Sequence, residues 1–251
     1  MLKNKTVLIT GSTRGIGKAI AIRLAAGGAN IILNASKSNE QAKDALQTLP
    51  NNRSKHTFIP ADMGNPIRVK ALINQIKNEY GQLDILINNA GTTQFIDHAN
   101  LNDLNLEMID KIYQVNFRGA LLCIQEALPL LKIASHKFKE ANIINIASIA
   151  ATTAMGSNIA YCAMKAALVN LTQSLARALS PEIRVNAVSP GLIKTDLTKT
   201  WEKYHKTQIQ KTPLKRLATC EDVSETVFAL ITTLKYVTGQ NILVDGGRSL
   251  N

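Results

Sequence analysis

Short runs of consecutive apolar and β-branched residues alternate along this chain with longer stretches whose apolar positions recur every three to four residues. The first kind reads as strands buried on both faces, the second as amphipathic helices. Residues 5–10 (KTVLIT) form the first strand-like run, which stops on Gly11 and is followed by a helical period from Ile16 to Ala26. The alternation continues with a strand at 30–34, a helix at 39–49, a strand at 56–62, a helix at 66–80 and a strand at 83–89. A long helical stretch at 103–132 follows, interrupted by Asn116 and Gly119, both poor helix residues. Then come a strand at 141–148, a helix at 159–179, a strand at 183–189, an irregular segment at 195–216, a helix at 220–234 and a strand at 241–247. Such repetition predicts an α/β fold built on a parallel sheet. No internal repeat, low-complexity tract or linker divides it, so one domain is expected over residues 1–251.

Candidate chemistry gathers where strands end. The turn Gly11-Ser12-Thr13-Arg14-Gly15-Ile16-Gly17 joins a strand to a helix start. In that arrangement main-chain N–H groups and the helix dipole receive a pyrophosphate. The spacing is GxxxGxG rather than GxGxxG. At the tip of the second strand stand Asn34, Ala35, Ser36 and Lys37, with no carboxylate for the adenosine ribose hydroxyls. A 2′-phosphate would meet no repulsion there, and Lys37 and Arg14 would supply positive charge for it. NADP(H) is therefore expected in preference to NAD(H); the alternative for Lys37 is a solvated loop lysine. Asp62, ending the third strand, either accepts from an adenine amine or caps the next helix. Asn88-Asn89-Ala90-Gly91 closes the fourth strand with small side chains against which a flat ring or ribose could lie, or simply marks a turn. Asn116, set among apolar neighbours, calls for a partner such as a bound water or a kinked carbonyl.

The fifth strand delivers Ser148 to its C-terminal tip, the edge at which open α/β sheets bind ligands. On the next helix Tyr161 and Lys165 are four residues apart and so share a face. A free phenol titrates near ~10. A neighbouring ammonium is expected to lower that value, and a serine would hold a carbonyl oxygen beside the phenol. The trio would then protonate or deprotonate an oxygen while something else moves a hydride. Taken alone, the tyrosine–lysine spacing is one that many helices show by chance. The basic segment 195–216, with Lys199, Lys203, Lys206, Lys211, Lys215 and Arg216, reads as a lid over the site. Its Trp201, Glu202 and Tyr204 either contact substrate or pack the lid down.

Composition narrows the class. Hydrophobic content of 45% and a mean hydropathy near zero suit a soluble globule, and no apolar run reaches the ~18–20 residues of a membrane span. The first strand begins so near Met1 that no signal peptide is expected. Cys123, Cys162 and Cys220 lack metal-ligand spacing, so they read as apolar fillers in a reducing cytoplasm, with no metal site. A net charge of +11 suggests attraction to polyanions, whether phosphorylated cofactors, acidic carrier proteins, membranes or nucleic acid. Aromatics are only 4% and do not interleave with basic runs, which disfavours nucleic acid.

Taken in order, Thr10–Gly17, Asn88–Gly91, Asn116, Ser148, Tyr161-Cys162-Ala163-Met164-Lys165, Pro190-Gly191 and Asp245-Gly246-Gly247 resemble the short-chain dehydrogenase/reductase superfamily along nearly the whole chain. The resemblance implies a single-domain Rossmann fold, with a doubly wound seven-stranded parallel sheet. It implies a cofactor-binding half at about 1–145 and a catalytic and substrate half at about 146–251. Tyr161 would be the general acid, Lys165 would bind the nicotinamide ribose and depress the tyrosine's pKa, Ser148 would hydrogen-bond the substrate oxygen, and Asn116 would anchor a water extending the proton path. Gly11, Ser12, Thr13, Arg14, Gly15, Ile16, Gly17, Ser36, Lys37, Asn89, Ala90, Gly91, Pro190 and Gly191 would line the dinucleotide. Asp62 and Met63 would lie near adenine, and Ile193 and Thr195 would fix the carboxamide.

The pattern is most similar to bacterial 3-oxoacyl-acyl-carrier-protein reductases. It implies an NADPH-dependent carbonyl reductase of fatty acid metabolism, acting on a 3-oxoacyl thioester, cytoplasmic and homotetrameric. That group often carries an arginine before the sixth strand for docking an acidic carrier; here the turn is Ser180-Pro181-Glu182, so carrier docking would need another basic surface. The alternatives are an alcohol, sugar or hydroxy-acid dehydrogenase working oxidatively, and a non-catalytic dinucleotide-sensing protein.

Overall fold

A computed structural model describes residues 2–38, 40–50, 54–138, 140–195 and 202–250. Seven strands form one parallel sheet in the order β3-β2-β1-β4-β5-β6-β7. They are β1 (Thr6–Ile9), β2 (Asn30–Ala35), β3 (Thr57–Pro60), β4 (Ile85–Asn88), β5 (Ala141–Ile146), β6 (Ile183–Pro190) and β7 (Asn241–Val244). Strand order reverses between β1 and β4, which leaves a crevice beyond their C-terminal ends where the flanking loops part.

Side-chain alternation sorts the core onto two faces. Val7 and Ile9 of β1, Ile31 and Leu33 of β2, and Ile85 and Ile87 of β4 join one buried cluster with helices α1 (Gly15–Ala26) and α9 (Cys220–Thr232). Leu8, Ile32 and Leu86, one residue out of step, join the other with α3 (Pro66–Tyr80) and α5 (Gly119–Phe138). Burial on both faces is why these strands read as continuous apolar runs. Each fully buried Leu or Ile contributes roughly 1.5–3 kcal/mol relative to exposure.

The other helices are α2 (Glu40–Gln47), α4 (Leu106–Tyr113), the short α6 (Ala150–Thr153), α7 (Ile159–Leu179) and α8 (Glu202–Lys211). The expected single helix at 103–132 is a correction. A 3₁₀ turn at Leu101–Asp103 precedes α4, a π segment at Gln114–Arg118 follows it, and α5 runs on through Pro129 to Phe138. Gly119 stands where the wide π turn closes, and a Cβ there would lie 2.4 Å from the Met63 carbonyl oxygen. The segment expected to be an irregular lid contains α8; its residues 196–201, including Lys199 and Trp201, lie outside the described residues, as does Asn39 of the expected 39–49 helix. No described helix is long and apolar enough to cross a membrane.

Candidate active site

The glycine turn is built against its neighbours by main-chain contact. Gly11 has φ +61°, a conformation glycine adopts without strain. A Cβ on Gly17 would lie 2.5 Å from Gly11 O and 2.6 Å from Asn89 Nδ2, so that position has no room for a side chain. Asn89 Nδ2 donates to Thr10 O at 2.9 Å and Gly11 O at 2.8 Å, pinning the tip of β4 to the turn. Ser12 turns inward: its buried hydroxyl donates to Ile9 O at 2.7 Å and accepts from Asn34 N at 2.9 Å. Thr13 is also buried, whereas Arg14 is exposed at the N-cap of α1.

Asn34, at the acid-free tip of β2, is a hub. Its Nδ2 donates to Ile59 O and Ala61 O, each at 3.1 Å, and its Oδ1 accepts from Gly11 N at 3.3 Å. A carboxylate could not make the two donations, which explains an amide at this site. Ser36 and Lys37 beyond it are exposed. Asp62 accepts from Gly64 N at 2.9 Å and lies 4.0 Å from Lys111 Nζ; the cap of α3 is Asn65, so the helix-capping alternative for Asp62 is not what forms. Met63 is buried in the second core cluster.

Ser148 and Tyr161 meet across the crevice: the serine side chain acts on the phenol, favouring its ionised form, while its Oγ accepts from Ala150 N at 3.2 Å. Asn158 caps α7, its Oδ1 accepting from Tyr161 N at 2.7 Å, while its Nδ2 donates to Gln94 O at 2.8 Å in the loop after β4. Its place just before the helix is a cap signal that the sequence itself carries. Lys165 is buried, its Nζ donating to Ile146 O at 2.7 Å and lying 5.7 Å from the Tyr161 ring centroid. Asn116 is buried in the π segment with its amide bound to Thr92. A Cβ on Gly91 would lie 3.6 Å from Asn116 Oδ1 and 3.9 Å from Lys165 Nζ, so one small residue brings the two together.

The expected acidification of the phenol is a correction. Burial pushes Tyr161 up to about 12, with the Ser148 side chain acting against it. Burial also pulls Lys165 down to about 8. In both groups the cost of removing water from the charged form is the leading cause.

After β6, Gly191 N donates to Val244 O at 3.0 Å, extending the ladder to β7. Ile193 forms an isolated parallel bridge with Ala218 and its side chain is buried in the first core cluster. Thr195 lies over the glycine turn, with its Cγ2 3.7 Å from where a Cβ on Gly15 would be.

A family model described as enoyl-(acyl carrier protein) reductase matches residues 11–249. The chain belongs to the short-chain dehydrogenase/reductase family. It is 34% identical over 250 residues to the 3-oxoacyl-[acyl-carrier-protein] reductase of Staphylococcus aureus, covering 98% of this chain and 99% of that one. A 3-ketoacyl-(acyl-carrier-protein) reductase from Brucella melitensis, complexed with NADH, superposes with a TM-score of 0.91 at 31% identity, covering 99% and 100% of the two chains. A short-chain dehydrogenase from Burkholderia cenocepacia in complex with NADP gives 0.89 at 32% identity over 98% of each.

This short-chain dehydrogenase/reductase is an oxidoreductase of CH–OH and C=O groups that uses a nicotinamide dinucleotide. Its crevice fits that cofactor. The first turn of α1 has neither a side-chain cap nor an acidic residue, so its N–H groups face an anion's position.

Proposed function

We propose that this chain is an NADPH-dependent carbonyl reductase whose substrate is a 3-oxoacyl thioester. The observation that carries the reading is the meeting of Ser148, Tyr161, Lys165 and Asn116 at one end of the crevice whose other end is the glycine turn. Such an enzyme must hold a carbonyl carbon near a hydride donor and supply a proton to the carbonyl oxygen.

Each residue has a stated part. When bound, a dihydronicotinamide would supply the hydride. Ser148 donates a hydrogen bond to the carbonyl oxygen. Tyr161 gives that oxygen its proton, and a phenol pushed up to about 12 is in its protonated form at neutral pH. Lys165 orients the ribose. Each end of the Asn116 amide makes one hydrogen bond to Thr92, and Asn116 would anchor a water that extends the proton path. Gly11, Arg14, Gly15 and Ile16 line the pyrophosphate, Asn89, Ala90 and Gly91 the ribose, Asp62 and Met63 the adenine, and Gly191 and Thr195 the carboxamide. Ser12, Thr13, Met63 and Ile193 have buried side chains, so their part is through the main chain.

Preference for NADPH is supported by the amide at position 34 and the exposed Lys37 and Arg14. The thioester is supported by the two carrier-protein reductases, each similar over nearly full length, and by exposed Phe95 and Met155 beside the site, which suit an acyl body. We place the enzyme in the cytoplasm as a homotetramer of single-domain chains, meeting any acidic carrier through a basic surface other than Ser180-Pro181-Glu182. The test is NADPH against NADH oxidation with an acetoacetyl thioester beside simple ketones. Equal turnover with NADH would remove the cofactor preference, and preference for a simple ketone would remove the thioester.

A further inference from the structure

Helix α8 ends against the C-terminal turn of the chain. A Cβ on Gly246 would lie 2.9 Å from Thr212 Cγ2, and one on Gly247 2.9 Å from Pro213 Cγ. Leu214 N also donates to Gly246 O at 3.2 Å. The side chains of Thr212 and Pro213, just after α8, therefore pack directly on the main chain of these two glycines. Asp245 braces that turn by accepting from Gly247 N at 2.9 Å and Ser249 N at 2.8 Å.

The residue that follows the glycines reaches back along the helix. Arg248 is only 7% exposed; its Nε donates to Gln208 Oε1 at 2.8 Å and one terminal nitrogen lies 3.7 Å from Met155 Sδ. Met155 stands in the segment that joins Ser148 to Tyr161. Four residues before Gln208, and so on the same face of α8, Tyr204 stacks on Phe95 with ring centroids 5.2 Å apart. One face of α8 thus touches both walls of the crevice, the loop after β4 directly and the segment before α7 through Arg248.

We propose that Arg248 is a positioning residue for the carbonyl substrate: it ties the lid helix to Met155 and so fixes the wall opposite the loop after β4. The proposal rests on the reductase reading for its kinetic consequence. It requires no contact between Arg248 and substrate, and it leaves the glycine turn and Lys165 untouched.

Arg248→Ala should raise KM for the thioester about tenfold, leave kcat within about threefold, and leave the NADPH dissociation constant within about twofold. Arg248→Lys, which keeps one donor for Gln208, should recover part of the loss. Gln208→Ala combined with Arg248→Ala should be no worse than Arg248→Ala alone, since both remove one tether. Hydrogen exchange at residues 204–211 should quicken in either single alanine variant while β4 and β5 stay protected. Unchanged exchange in α8 would overturn the proposal, as would a KM that stays at its wild-type value in a folded variant. If the wild-type chain reduces no thioester, the reductase reading fails, and the exchange comparison still decides the tether. Should Arg248→Ala lose protection in the strands, Arg248→Lys and Gln208→Ala carry the same measurements.

Discussion

Asn116 holds both main-chain polar groups of Thr92, accepting from its N–H at 2.8 Å and donating to its carbonyl at 2.9 Å. The pairing ties the π segment to the loop after β4, which is one wall of the crevice. Asn116→Ala leaves both groups of Thr92 without that partner. A stability loss of about 1–3 kcal/mol is expected from urea denaturation, together with a fall in turnover. Full stability with full activity would show that the pairing is dispensable.

Tyr161→Phe removes one hydroxyl and keeps the ring. Turnover should fall about 10²- to 10⁴-fold. Cofactor affinity, read from nucleotide fluorescence, should stay within about twofold because Lys165 and the glycine turn keep their geometry. A large loss of affinity would mean that the phenol is part of the cofactor site instead of the proton donor.

The buried Lys165 makes a pH prediction with a definite sign. With its pKa pulled down to about 8, it is charged below that pH and neutral above it. The kcat/KM for NADPH should therefore decline above pH 8 with the slope of one proton, and Lys165→Met should lose that limb along with most of its activity. Stability moves the other way. The unfolded chain binds this proton up to the ordinary lysine range and the folded chain releases it near 8. Between those values wild type should gain stability relative to Lys165→Met as pH rises, as denaturation midpoints would show.

Lys37 and Arg14 are exposed, so their effect on a 2′-phosphate is screened and modest. Lys37→Glu should raise KM for NADPH about five- to tenfold at low salt and leave KM for NADH nearly unchanged. A parallel change for both cofactors would show that the residue does not discriminate between them.

The strands and helices were legible because their signals are local. Alternation of core and helix-facing positions follows from burial of the sheet on both faces, and the strand–glycine–helix turn is contiguous in the chain. The same holds for Tyr161 and Lys165, whose shared face needs only a helix. The break in the long helical stretch is only half legible: Asn116 and Gly119 are poor helix formers, but what Gly119 avoids is the carbonyl of Met63, and no pattern around position 119 encodes that contact. Asn34 was visible only as a missing acid. Its use as a donor to Ile59 and Ala61 depends on how β2 and β3 pair.

By itself the sequence determined which residues can carry the chemistry and which element holds each one, since residue type and helical or strand period are properties of a single stretch. Tertiary structure decided how those residues behave. Whether the phenol rises or falls in pKa depends on how much water the crevice admits, and that is set by β5, α7 and the loop after β4 together. The tie from Arg248 to Gln208 and Met155 joins three segments that nothing local relates, so it exists only once the sheet has brought its ends into register.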